Sequence, residues 1–206
     1  MSLLIIPPMA GSAPVPVYRE VVHEIDASVT PTLDVGCGNM KIPGAVGIDL
    51  VAGTQADIVH DLNRLPWPVA DDAFEVIRLW SVLEHLDDTL AVLAEVHRVA
   101  RPDATVIIGV PHFSSANAFT DPTHRHHFSG RFLDYLVPGT ELSERFGFYG
   151  TTRFELLERR VTLSPFWARL RLTRFLNRHL ELYETYLCYL VRGADIQLKL
   201  RVVKAG

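Results

Sequence analysis

Four of the nine histidines stand between positions 112 and 127: His112, His124, His126 and His127. They belong to the run Val110-Pro111-His112-Phe113-Ser114-Ser115 and to Thr120-Asp121-Pro122-Thr123-His124-Arg125-His126-His127-Phe128 beyond it. Imidazole changes charge near pH 6.5 and can take the proton of a hydroxyl that is acting as a nucleophile. Three chemistries fit the segment: a general base, a metal site built from histidine and Asp121, or a turn at Asp121-Pro122 with structural histidines. The irregular spacing and the lack of a second ligand motif rank the metal last. No metal is therefore expected, and chelation should leave activity intact. As base, His124 ranks first, because the turn would aim it inward; His112 follows, then His127.

A second group lies upstream. Leu33-Asp34-Val35-Gly36-Cys37-Gly38-Asn39 sets two glycines directly after a strand-like run, and Asp49, followed by Leu50, comes eleven residues after Gly38. Glycine at the carboxyl end of a strand lets the backbone approach a ligand closely. A carboxylate ending the next strand can accept hydrogen bonds from both hydroxyls of a ribose. Alone the glycines are common turn residues; flanked by Asp34 and Asp49 they suggest a nucleoside site.

Strands and helices must hold these groups together. Thr32–Val35, Ala45–Asp49, Ala56–Asp61, Phe74–Leu79 and Thr105–Val110 read as strands, the last uninterrupted and apolar as in a covered parallel sheet. A helix starting at Asp87 or Asp88 puts Val92, Leu93, Val96, Val99 and Ala100 on one face and stops at Pro102. Phe154–Leu163 reads as a strand and Trp167–Leu190 as a long helix. Ile196, Leu198, Leu200 and Val202 then alternate with polar residues, so a late antiparallel pair should close the sheet. Only ten residues separate Gly38 from Asp49, and they include Pro43 and Gly44, so the first crossover helix shrinks to a turn. A pyrophosphate would want that helix N-terminus, which argues against a dinucleotide.

The order of further motifs narrows the choice. Asp61-Leu62, Leu65-Pro66-Trp67, Asp71-Asp72-Ala73-Phe74-Glu75-Val76-Ile77, Ser81-Val82-Leu83-Glu84-His85-Leu86 and Leu93-x-Glu95-x-x-Arg98-Val99-x-Arg101-Pro102 follow in turn. The series resembles the class I S-adenosylmethionine-dependent methyltransferases of the small single-domain type, over about residues 30 to 112. A similar Asp-Pro-Thr-His loop occurs in some bacterial members. The resemblance implies a Rossmann-like α/β fold, mainly parallel with an antiparallel C-terminal strand and helices on both faces. It implies Asp34, Gly36, Cys37 and Gly38 around the methionine portion of S-adenosylmethionine, Asp49 and Leu50 at the ribose, and Asp61 and Leu62 at the adenine edge. Ser81, Glu84 and His85 would line the floor where methyl donor and acceptor meet. The product would be S-adenosylhomocysteine.

With 206 residues, 48% of them hydrophobic, the chain fits one folded domain, set at 17–206 behind an irregular, proline-marked arm at 1–16 and opening with a short helix, Val17–Ala27. A net charge of −4 argues against duplex nucleic acid as a partner. Two cysteines and no apolar run near the membrane-spanning length suggest a cytoplasmic protein. The expected acceptor is a small or carrier-borne molecule. Arg171, Arg174 and Arg178 would share one face of the long helix, a solvated surface or a contact for an anionic one. Two rivals are the same fold used for another reaction or for binding without turnover, and a peripheral membrane protein.

Overall fold

The computed structural model describes residues 26–204. The expected arm at 1–16, and the helix at Val17–Ala27 apart from its last two positions, lie outside the described residues; Ala27 stands in a turn.

Seven strands follow in chain order: β1 (Thr32–Val35), β2 (Val46–Asp49), β3 (Ile58–Val59), β4 (Phe74–Trp80), β5 (Ala100–Pro111), β6 (Arg153–Leu163) and β7 (Gly193–Val203). They form one sheet in the order β3-β2-β1-β4-β5-β7-β6. The first five run parallel, while β7 is antiparallel to both β5 and β6. Chain order reverses between β1 and β4, so a crevice opens at the carboxyl ends of those two strands. The expected architecture is the one observed.

Each strand's burial follows its sequence. β1 is buried at every position, and Ile196, Leu198, Leu200 and Val202 of β7 all face the core. Helix α1 (Thr89–Val99) begins where Asp88 accepts a hydrogen bond from the Ala91 amide, and buries Val92, Leu93, Val96 and Val99. It ends before Pro102: Ala100 already pairs with Phe74 as the first residue of β5. That strand is thus longer than Thr105–Val110, with a register shift near its start. The third strand is shorter than Ala56–Asp61, because the Asp57 side chain turns aside to bind Lys41 and the Gly47 amide. The β1–β2 link is a set of turns, as the ten-residue spacing requires, and the β2–β3 and β3–β4 links also lack an α-helix.

The long helix over Trp167–Leu190 is not formed. Short helical pieces at Pro165–Arg169, Thr173–Arg178 and Leu180–Leu182 lead into a π-helical turn at Tyr183–Leu187. Arg171 sits in the first break with φ +57°, a left-handed conformation no helix accommodates. Asn177 gives the reason for a broken path. Its side chain accepts from the Val161 amide (2.6 Å) and donates to the Val161 carbonyl (2.8 Å), imitating a neighbouring strand along the β6 edge. Arg171 therefore does not share a helical face with Arg174 and Arg178, which remain one turn apart on Thr173–Arg178.

Candidate active site

The glycine loop leaves β1 with Gly36 at φ +65° and Gly38 at φ +49°. A Cβ on Gly36 would lie 2.4 Å from a methyl of Val82, so packing and backbone conformation require this glycine before any ligand does. Gly36→Ala is accordingly expected to cost roughly 1–3 kcal/mol of stability in urea denaturation. Adding Val82→Ala should recover the part due to the clash. At Gly38 the same test finds open space.

The Gly38 amide donates to Asp49 (2.8 Å), and the Val51 amide donates to the other carboxylate oxygen (2.9 Å). Asp49 is thereby fixed at the crevice, with lone pairs left for a ligand. Asp34 is placed elsewhere. It is fully buried beneath the loop, where it pairs with Arg78 (2.7 Å) and accepts from the Ile42 amide (2.8 Å). It supports the loop from beneath and lines neither of the cavities described below, although the resemblance implied a place around the methionine portion. Cys37 is also buried, its thiol pKa pushed up to about 11 by burial and by the nearby carboxylates of Asp34 and Asp49.

Two cavities open along the crevice. The first, about 700 Å³, is lined by Gly36, Asp49, Leu50, Asp61, Leu62 and Ser81, with Asn63, Val82 and Leu86 adding a mixed polar and apolar wall. Five of the eight residues expected around the cofactor, Gly36, Asp49, Leu50, Asp61 and Leu62, meet here with Ser81 of the expected floor. The chemistry suits a nucleoside: carboxylates for ribose hydroxyls, apolar side chains for the base, and no phosphate cradle. The second cavity, about 540 Å³, is lined by Glu84, His124, Asp121, Asp195, Asn117 and Thr120. Ser81, His85 and Pro122 line both. Ser81 holds φ +52°, a costly conformation for a residue with a Cβ, at the end of β4 where the cavities meet.

The histidine loop closes over this crevice because it is tied to the turn at Leu83–His85. The Glu84 carbonyl accepts from the amides of Arg125 (2.7 Å) and His126 (3.3 Å), and the Arg125 guanidinium pairs with Asp87. His124 lies against His85, ring centroids 4.7 Å apart, and its Nε2 stands 4.0 Å from a Glu84 carboxylate oxygen. Glu84 is 1% exposed, and neither carboxylate oxygen has a hydrogen-bond partner. Burial pushes its pKa up to about 7. Burial also lowers the pKa of His85, with His124 adding to the effect.

The other histidine candidates lie apart from both cavities. His112 is fully buried, accepts from the Ser114 amide at Nδ1 (3.1 Å) and donates from Nε2 to Glu184 (3.1 Å). It ties the end of β5 to the π-helical turn, a structural duty. His112→Ala should therefore lower stability by roughly 1–3 kcal/mol, the scale for stranding a buried partner, measurable by chemical denaturation. His127 is exposed and stacks edge-on against Phe119. Asp195 escaped the sequence reading. It opens β7 opposite Pro111 of β5, and burial raises its pKa. An acid leading an apolar alternation was the only available signal.

Residues 33–108 match the family model of a methyltransferase domain. No curated protein matches the chain in sequence. Among solved structures, an S-adenosylmethionine-dependent methyltransferase from Archaeoglobus fulgidus is 16% identical, with 90% of this chain and 91% of that one covered and a TM-score of 0.57. Another from Mesorhizobium loti is 16% identical over 88% of this chain and 96% of its own, with a TM-score of 0.51. The cyclase SpnF is 18% identical over 92% and 81%, with a TM-score of 0.55. At such identities these likenesses concern the fold. Among the described residues, no helix is long and apolar enough to cross a membrane.

Proposed function

We propose that this chain, whose residues 33–108 match a methyltransferase-domain model, is a class I S-adenosylmethionine-dependent methyltransferase that transfers the methyl group to a hydroxyl oxygen of a small or carrier-borne acceptor. One observation carries the choice of oxygen. The second cavity is lined by Glu84, whose buried carboxylate has no hydrogen-bond partner, and by His124, whose Nε2 lies 4.0 Å from that carboxylate, two groups able to accept a hydroxyl hydrogen.

S-adenosylmethionine supplies a methyl carbon already activated by a sulfonium. The protein's part is proximity, orientation and proton removal. Asp49 would hold the ribose hydroxyls, while Asp61, Leu62 and Asn63 would bracket the adenine. Ser81 and His85, common to both cavities, would set the angle between donor and acceptor. Glu84 and His124 would hold the acceptor hydroxyl and draw its proton as the new O–C bond forms.

Acceptors offered with radiolabelled methyl donor test the reading. Label should appear in hydroxyl-bearing compounds as base-stable ethers. Label confined to amines or carbon would overturn the choice of oxygen.

A carrier would meet the broken 165–190 segment, where Arg174 and Arg178 are exposed, as are Phe166 and Phe175. Reversing both arginines to glutamate should leave S-adenosylhomocysteine affinity unaltered in calorimetry. It should raise the KM for an anionic carrier at low salt, with the difference shrinking as salt screens it.

A further inference from the structure

We propose that Glu84, His85 and His124 form a binding site for one divalent transition-metal ion of the zinc type, on the floor of the second cavity. One ligand atom from each of the three lies within 4.8 Å of the others. The site stands on this geometry; its use in methyl transfer rests on the function proposed above.

Four observations converge. Glu84 is almost fully buried with both carboxylate oxygens unpartnered, a costly arrangement that a cation would relieve. The histidines are set as ligands by their outer contacts. His124 Nδ1 lies 3.0 Å from the Ala118 carbonyl, which can only accept, so this nitrogen carries the hydrogen and Nε2 keeps its lone pair toward Glu84. His85 Nδ1 lies 2.8 Å from the Thr123 hydroxyl, which in turn donates to Asp121 (2.7 Å). The hydroxyl hydrogen being spent there, His85 Nδ1 donates and its Nε2 keeps the lone pair. Metal-bound histidines characteristically anchor their second nitrogen in this manner, to a carbonyl or through a hydroxyl to a carboxylate.

Charge agrees. Asp121 and Asp195 join Glu84 in the cavity lining, which contains no lysine or arginine. The gap agrees as well. At 4.0 Å, Glu84 and His124 are too far apart for a hydrogen bond, so a shared proton does not bridge them. Tetrahedral ligands at about 2.0–2.2 Å from zinc stand roughly 3.3–3.6 Å apart. Seating the ion would therefore draw the three side chains inward by about 1 Å at most. Two imidazoles and one carboxylate with an open position is a catalytic donor set, suited to zinc and its neighbours and poor for magnesium.

An ion there would lower the pKa of an acceptor hydroxyl at its open position. The O–H proton leaves to water; the O–C bond forms as the S–C bond breaks, and neutral S-adenosylhomocysteine departs. With the ion bound, Glu84 and His124 act on the acceptor hydroxyl through it, in place of the direct proton removal described above.

The test is a calorimetric titration of the full chain, stripped with chelator, with zinc chloride and separately with magnesium chloride. One zinc ion per chain should bind, and magnesium only weakly. Glu84→Gln keeps the side-chain size, and with His124→Ala should lose at least about 100-fold in zinc affinity; Thr123→Val, acting through His85, should lose about 10-fold or more. His127→Ala, outside the cavity, should titrate like the parent. Cobalt chloride bound to the parent should give a visible absorption band that Glu84→Gln lacks. Parallel titration with S-adenosylhomocysteine separates the two readings. A chain that binds S-adenosylhomocysteine but no zinc, or whose zinc affinity survives both ligand substitutions, overturns the metal site and leaves the methyltransferase reading standing. Zinc binding without S-adenosylhomocysteine binding does the reverse.

Discussion

His124→Ala should reduce kcat by roughly 10²–10⁴-fold, the range for loss of a group that removes a proton in the transition state. The affinity for S-adenosylhomocysteine should stay unchanged, because His124 lines the second cavity and is absent from the lining of the first. The loss follows whether Nε2 takes the proton itself or holds an ion that releases it, since in both proposals Nε2, 4.0 Å from a Glu84 carboxylate oxygen, acts on the acceptor hydroxyl. Steady-state kinetics on any accepted substrate, with cofactor affinity measured alongside, check it. Near-parental turnover would make catalysis here positional and His124 a packing residue.

Asp49→Ala should weaken S-adenosylhomocysteine binding by about 1.5–3 kcal/mol, or roughly 10- to 150-fold, as expected for a charged partner lost from two hydroxyls. The structure adds a second source of loss. Asp49 accepts the amides of Gly38 and Val51, so alanine also releases the glycine loop. Asp49→Asn separates the two contributions, because its single amide oxygen can keep one of those amides while the charge is lost. Titration calorimetry should therefore find Asp49→Asn weakened, but less than Asp49→Ala. Equal affinity in parent and alanine variant would mean that the ribose lies elsewhere.

What was legible in the sequence is what local chemistry dictates. The strand–glycine–strand–aspartate series lies within twenty residues, and chain length alone forbids a helix between Gly38 and Asp49. The alternation of Ile196, Leu198, Leu200 and Val202 specifies one buried face whatever its neighbour. Long-range pairings were not legible. Asp34 reads as a ligand-facing acid until Arg78, from the adjacent strand, is found beside it. His112 and His124 look alike in sequence; only Glu184, seventy-two positions away, makes the first structural. The apolar pattern from Trp167 to Leu190 satisfies a helix, but it cannot reveal that Asn177 docks on Val161 and forces the break at Arg171. Glu84 was placed at the floor, with Ser81 and His85, by the family resemblance. That its carboxylate is buried without a partner depends on the loop folding back from Asp121.

Two cavities meet at Ser81 and His85, and the proposed function gives one to the methyl donor and the other to its acceptor. A crystal structure of the chain with S-adenosylhomocysteine tests this most directly. The ribose should sit on Asp49, the adenine beside Asp61 and Leu62, and the sulfur at the wall formed by Ser81 and His85, opening onto Glu84 and His124. A sulfur facing away from that wall, or a ligand bound outside the glycine-loop cavity, would contradict it.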